Sequence, residues 1–446
     1  MFLSINTHIF HTPDVHNLHH IRSIIKLYMN KVSELESVSK TVLPNGMQIV
    51  SEKIESVKSV TVGIWAKTGS RNEAQSKAGI THFLEHMLFK GTENRTSYDI
   101  ALSMESVGGY LNALTSTEYT CYYARCLDTK LPVALDVLTD MVKNSTFPEE
   151  EMAKEKKVVI EEMKMYRDSP EDTLFEEFSK QTFDKHPIGR PVIGYEETVS
   201  SFSRQDLFDY MEERYKPSNL LISVAGHIDH QEVVDLVSKV MDVESSGDPE
   251  PMDQPLTEYT TFKNTITKPI EQTHMITGRR GLHYDHPDKY LLLLANTILG
   301  GGMSSRLHQN IREKYGYCYS IGTFNQSYTD SGLFGVYIGT DKEYVDHVRE
   351  LITREFELIR EKKVPAQELE EAKAQLKGKL LLSQESTSNR MTRLAKSEIY
   401  FGRFVTLDEL VSNINSVTAE DLLKFSESFF DPTLFSETVL LPENKV

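Results

Sequence analysis

The chain has 446 residues, too many for one ordinary hydrophobic core, so two or more domains are expected. Hydrophobic residues make up 39% and charged residues 26%, a globular balance that argues against disorder, and no apolar run is long enough for a spanning helix, so no membrane partner is expected. A net charge of −17 makes nucleic acid a poor partner, and three cysteines (Cys121, Cys126, Cys318) offer neither a disulfide framework nor a thiolate metal site. The sparse cysteines suit a reducing compartment, so a cytoplasmic protein is expected, with the mitochondrial matrix as the alternative.

Residues 1–38 read as a mobile tail. The first 28 hold His8, His11, His16, His19 and His20 but a single acid, Asp14, and Met29 is an alternative start. From Lys40 to Lys67 the pattern is that of a hairpin around Pro44-Asn45-Gly46, followed by β-rich residues at Ser59–Ala66. The pattern turns helical from Ile80 and β-rich again over Tyr110–Leu127. The odd spacing of Cys121 and Cys126 puts them on opposite faces of a strand, as buried thiols. Leu131–Lys143 has the apolar period of a helix, and Glu149–Tyr166 is a charged helix entered through Pro148.

A second half repeats this order. Tyr319–Gly339 is β-rich, Lys342–Arg360 is helical, and Pro365 introduces another charged helix. Pro148 and Pro365 lie 217 residues apart, Pro217 and Pro432 215, and Gly91 and Gly300 209. This near-constant offset predicts a duplicated unit. The acidic, Pro-rich residues 243–257 read as the linker between an N-terminal half at 39–242 and a C-terminal half at 258–446. The expected class is therefore α+β: two homologous halves, each an antiparallel-rich sheet packed against helices.

The chemical signal lies in His82-Phe83-Leu84-Glu85-His86. Histidines four apart on a helix stack on one face and can share a zinc ion. Glu85 shares that face and can take a proton from water beside the metal. This H-x-x-E-H order is the inverse of the commoner H-E-x-x-H. Two ordinary histidines on a surface helix would be the plainer reading, but Phe83, Leu84, Met87, Leu88 and Phe89 mark the helix for burial, and buried histidines need partners. A catalytic zinc needs a third protein ligand. The charged helix offers Glu155, Glu161 and Glu162. The first and last are two turns apart on one face and Glu161 points elsewhere, but spacing alone does not choose between Glu155 and Glu162.

From about Leu43 onward the chain resembles the pitrilysin family of inverzincin peptidases, in particular short members related to the β subunit of mitochondrial processing peptidase. The resemblance rests first on H-F-L-E-H-M-x-F-K-G-T, intact at His82–Thr92. It implies Glu162 as the third zinc ligand and Glu155 as the acid supporting the site. A second element, G-G-x-x-N-A-x-T, stands at Gly108–Thr115 and implies an edge strand on which Asn112 and Ala113 hold an extended peptide. The third, R-E-K-x-G-x-x-Y, runs from Arg312 to Tyr319. It implies that Arg312 holds a substrate carbonyl and Tyr319 assists the developing oxyanion. Read without it, Asn112 is equally a turn residue, Arg312 a surface ion-pair residue and Tyr319 a core aromatic.

At the repeat offset, His82, Glu85 and His86 fall on Leu291, Leu294 and Ala295, and Glu162 on Lys379, so the second half carries no metal group. Together these readings imply an endopeptidase with one Zn2+ per chain, acting on extended or unfolded polypeptide in a chamber. A homodimer is expected, with a heterodimer containing an inactive paralogue as the alternative. The rival functions are a presequence-type processing peptidase and a non-catalytic scaffold like the respiratory-complex core subunits of the same fold.

Overall fold

The computed structural model describes residues 37–241, 247–249 and 255–443. The histidine-rich tail and most of the expected linker fall outside them. Strands β1 (Val38–Val42), β2 (Gln48–Lys53) and β3 (Ser59–Ala66) lead into α1 (Ile80–Leu88) and α2 (Ser97–Glu105). Next come β4 (Tyr110–Thr115), β5 (Thr120–Leu127), α3 (Leu131–Asn144), α4 (Glu149–Asp168), α5 (Pro170–Phe183), α6 (Glu196–Ser201) and α7 (Arg204–Arg214). Strand β6 (Leu220–Gly226) and α8 (His230–Val240) close the first half. The second half runs β7 (Lys263–Lys268), β8 (Thr273–Gly281), α9 (Lys289–Gly300), β9 (Cys318–Ser327) and β10 (Gly332–Thr340). It ends with α10 (Val345–Glu361), α11 (Ala366–Ser383), α12 (Thr387–Phe401), α13 (Leu407–Ser416), α14 (Ala419–Phe429) and β11 (Ser436–Pro442). Among the described residues no helix is long and apolar enough to cross a membrane.

The two sheets share one pairing scheme. The first runs β1-β2-β6-β3-β5-β4 and the second β7-β11-β8-β10-β9. In each, the last strand of the half inserts parallel to the first core strand (β2 with β6, β7 with β11), and the remaining core pairs are antiparallel. The duplication expected from the proline and glycine landmarks is thus present in the topology, with a helical segment at His308–Glu313 in the place of α2, and with β1 and α8 lacking a counterpart among the described residues of the second half.

One face of each sheet is covered by helices of its own half. In the first, Val60, Val62, Ile64, Tyr122 and Ala124 pack with Phe83, Leu84, Leu135 and Leu138. The opposite faces are covered by an exchange. Helix α12, from the second half, lays Met391, Leu394 and Ala395 on Trp65, Cys121, Leu221 and Ala225 of the first sheet. Helix α5, from the first half, lays Leu174, Phe178 and Phe183 on Ile276, Leu333 and Leu440 of the second. Both helices have sharp starts: Ser169 accepts from Asp172 N ahead of Pro170, and Ser386 accepts from Asn389 N. Glycine makes room for each helix. A Cβ on Gly63 would lie 2.9 Å from Met391 Sδ, and one on Gly278 the same distance from Phe178 Cζ. Nothing in the periodicity of residues 170–183 or 387–401 announced that each would pack on the other half. Cys121 and Cys126 are buried on opposite faces of the first sheet, as their spacing predicts.

Charged pairs reinforce the exchange. Arg71 donates to Glu118 and makes two bonds to Asp330 of the second half. Glu118 also accepts from Thr329 N and from the Tyr400 hydroxyl. Lys40 pairs with Glu398, and Glu52 with Arg390.

Candidate metal centre

Helix α1 is fixed in place before it presents any chemistry. It starts at Gly79, whose φ of +91° a side chain would strain and whose Cβ would lie 2.5 Å from Ile193 O. The Glu73 side chain, fully buried, accepts from Gly79 N at 2.7 Å and Thr81 N at 2.8 Å, meeting two backbone donors that a helix start leaves open. Burial pushes the Glu73 carboxyl up to about 7 against those hydrogen bonds. The Thr81 hydroxyl meets the Tyr210 hydroxyl at 2.7 Å. Phe83, Leu84, Met87 and Leu88 are wholly buried, which turns the opposite face, with His82, Glu85 and His86, toward α4 and β4.

On that face His82 Nε2 lies 3.9 Å from Glu162 Oε1, and His86 Nε2 lies 3.6 Å from Glu162 Oε2. The imidazole centroids are 4.6 Å apart. These separations are too long for hydrogen bonds and close to the roughly 3.3 Å edge of a tetrahedron of zinc ligands. His82, His86 and Glu162 form the single group among the described residues with three such ligand atoms within reach of one ion, all within 4.8 Å of one another. Burial, and secondarily His86, lowers the His82 pKa to about 3, so the ring is neutral, as a ligand requires. Two imidazoles and a carboxylate are a donor set that fits zinc, with a coordination position left for a reactant.

Glu155, buried, faces His86 Nδ1 at 3.9 Å and forms an ion pair with Lys90 Nζ at 2.5 Å. Glu161 is exposed and, among the described residues, pairs with Lys164 alone, away from the site. Glu85 accepts a hydrogen bond from the Thr115 hydroxyl. Its pKa is raised, first by burial, with the charge of Glu162 adding to the effect.

Thr115 ends β4, the outermost strand of the first sheet. Asn112 and Ala113 lie in that strand, exposed and half-buried respectively. Ala113 N donates to the Asn112 side chain at 2.9 Å instead of to a neighbouring strand, so the outer edge of β4 carries backbone groups turned away from the sheet.

Arg312 and Tyr319 are brought to each other and not to the histidines. The guanidinium lies over the Tyr319 ring, 5.1 Å from its centroid, and donates toward His308 at 2.9 Å. Tyr319 is 79% exposed at the start of β9, the outer strand of the second sheet, so it is not a core aromatic. No described hydrogen bond, ion pair or ring contact joins either residue to His82, Glu85, His86 or Glu162. Leu294 and Ala295 lie buried in α9, an apolar helix where the first half has its histidines.

Sequence reasoning overlooked four residues. Lys90 and Thr115 stand inside the motifs at 82–92 and 108–115, where the signal was present but unused. Tyr166, one turn after Glu162 and with its hydroxyl within reach of that carboxylate's charge, and Glu73 carried no local signal.

Residues 48–196 match the family model described as insulinase (peptidase family M16), and residues 201–376 the model of the peptidase M16 inactive domain. An uncharacterized zinc protease of Bacillus subtilis is 42% identical over 386 residues, 86% of this chain and 94% of that protein. One of Streptomyces coelicolor is 38% identical, over 86% of each. Among solved structures, a protease from Helicobacter pylori superposes with a TM-score of 0.85 at 23% identity, covering 91% of this chain and 99% of that one. A peptidase M16 inactive domain from Pseudomonas fluorescens does so with a TM-score of 0.85 at 19% identity, over 91% and 98%. At these identities the two structures speak for the fold.

Proposed function

This chain belongs to peptidase family M16, the insulinase family, and we propose that it is a zinc-dependent endopeptidase of extended or unfolded polypeptide. The observation that carries this reading is the convergence of His82, His86 and Glu162 on one point, with Glu85 beside it. His82, His86 and Glu162 would hold one zinc ion per chain. When bound, the ion supplies Lewis-acid polarisation of the scissile carbonyl and acidifies water.

The chain's own groups supply the remaining steps. The outer edge of β4 offers main-chain donors and acceptors to an extended peptide, an interaction blind to side-chain identity. Asn112 and Ala113 hold that peptide near the scissile bond. Glu85 takes the proton of the attacking water and delivers it to the leaving amine, a role suited by a carboxyl raised above the usual range. Glu155 orients His86.

Tyr319 assists the oxyanion and Arg312 holds a substrate carbonyl. Because Tyr319 is exposed, Arg312 is half-buried against it, and neither touches His82 or His86 of its own chain, a second copy delivers the pair. Two chains then close around a chamber that excludes folded proteins. The decisive test is Glu85→Gln: it should keep zinc and lose nearly all peptide cleavage, and a variant that retained both would refute the mechanism.

A further inference from the structure

The hydrogen bond between Thr115 and Glu85 crosses from the edge strand to the zinc helix, and it uses one carboxylate oxygen, Oε2. It is the sole hydrogen bond found to that carboxylate among the described residues. A side chain with three rotatable bonds, held by one contact, takes its direction from that contact. The donor itself is tightly placed. The turn after Thr115 is tied to the segment before α1, since Ser70 N donates to Ser116 O at 3.3 Å and Arg71 N to Thr117 O at 2.8 Å. A Cβ on Gly69 would lie 2.2 Å from Ser116 O, so the two backbones meet without space for a side chain. One residue further on, Glu118 is buried and bonded to Arg71, Thr329 and Tyr400. Thr115 therefore sits at the end of a strand whose turn is bonded to both halves.

We infer that Thr115 is a positioning residue for Glu85: its hydroxyl pins Oε2 and leaves Oε1 directed at the reacting water. The inference rests on the reading of Glu85 as the general base. Thr115 touches neither the proposed ligands nor the proton in flight. Its effect is on how much of the time Glu85 points the right way, and misplacement on the scale of an ångström can cost about a hundredfold in rate.

The test compares Thr115→Val, which keeps the shape and removes the hydroxyl, with Thr115→Ser, which keeps the hydroxyl. Cleavage of a quenched-fluorescent peptide would be measured on zinc-loaded protein, alongside zinc content, thermal stability and the crystallographic position of the Glu85 carboxylate. The valine variant should lose about 10- to 100-fold in kcat with little change in KM, keep its zinc, and show Glu85 displaced or spread over several rotamers. The serine variant should recover most of the rate. If the valine variant does not fold, Thr115→Ala takes its place. Wild-type kcat in the hydroxyl-free variant, a serine variant as impaired as valine, or a loss that follows loss of zinc would each overturn the proposal. Failure of the underlying reading looks different, because Glu85→Gln would then stay active whatever stands at position 115.

Discussion

Lys90 Nζ lies 2.5 Å from Glu155 Oε1, and that same oxygen faces His86 Nδ1 at 3.9 Å. The lysine thus neutralises a buried acid whose other neighbour is a proposed zinc ligand. Removing the acid frees the His86 ring to turn. Glu155→Ala should weaken zinc binding about 10- to 100-fold, the usual effect of losing the partner behind a ligand. Competition with a graded series of chelators would measure it. Activity should return when zinc is added in excess, which separates this variant from Glu85→Gln.

The two copies proposed to share each chamber can be tested by mixing. Glu85→Gln and Tyr319→Phe chains, each nearly inactive alone, should regain activity when unfolded and refolded together. In the mixed dimer one site joins an intact Glu85 to an intact Tyr319, and the other has neither. Mixtures that stay dead would show that each chain completes its own site.

Glu73 makes a prediction about pH. Its carboxyl stands near 4.5 when unfolded and is raised to about 7 in the fold. A raised acid binds more protons folded than unfolded, so its stabilising effect is full below pH 4.5 and declines as pH rises to about 7. Glu73→Gln removes this titration, and it also sets an amide donor against a backbone donor at the start of α1. The stability difference between wild type and variant should therefore shrink by on the order of 3 kcal/mol between pH 4.5 and pH 7. Urea unfolding of both proteins across that range would show it, and a difference that widened with pH would contradict the assignment.

Arg71 pairs with buried Glu118 and with Asp330 across the two halves. Arg71→Ala leaves Glu118 with its two hydrogen-bond donors but without its cation. A loss of about 3–5 kcal/mol is expected. Denaturant midpoints would measure it, and Glu118→Gln in the same background should recover part of the loss.

Much of the site was legible in the sequence because its spacing is helical. The four-residue step between His82 and His86, and the presence of Glu85 between them, fix a shared face without reference to tertiary structure. The third proposed ligand was not legible that way. Glu155 and Glu162 both occupy the right face of α4, and what separates them is how α1 crosses that helix: Glu162 reaches both rings while Glu155 reaches the back of one. The resemblance, not the spacing, chose between them. Glu73 was invisible for a related reason. Its role depends on a chain reversal that brings it beneath Gly79, and no pattern of residue types records that. The exchange of α5 and α12 was hidden because an amphipathic helix declares that it has an apolar face and says nothing about whose sheet will cover it.

That exchange bears on how the molecule came to be and how it comes apart. Each sheet is roofed by a helix encoded on the far side of the linker, with Phe178 and Met391 seated over equivalent glycines. Such a chain has the geometry of a swapped pair of single units fused end to end. A protease that severs the connecting segment near residue 250 should leave a nicked but undivided particle, melting in one step. The fragments made separately, each missing its roof, would be insoluble until they met.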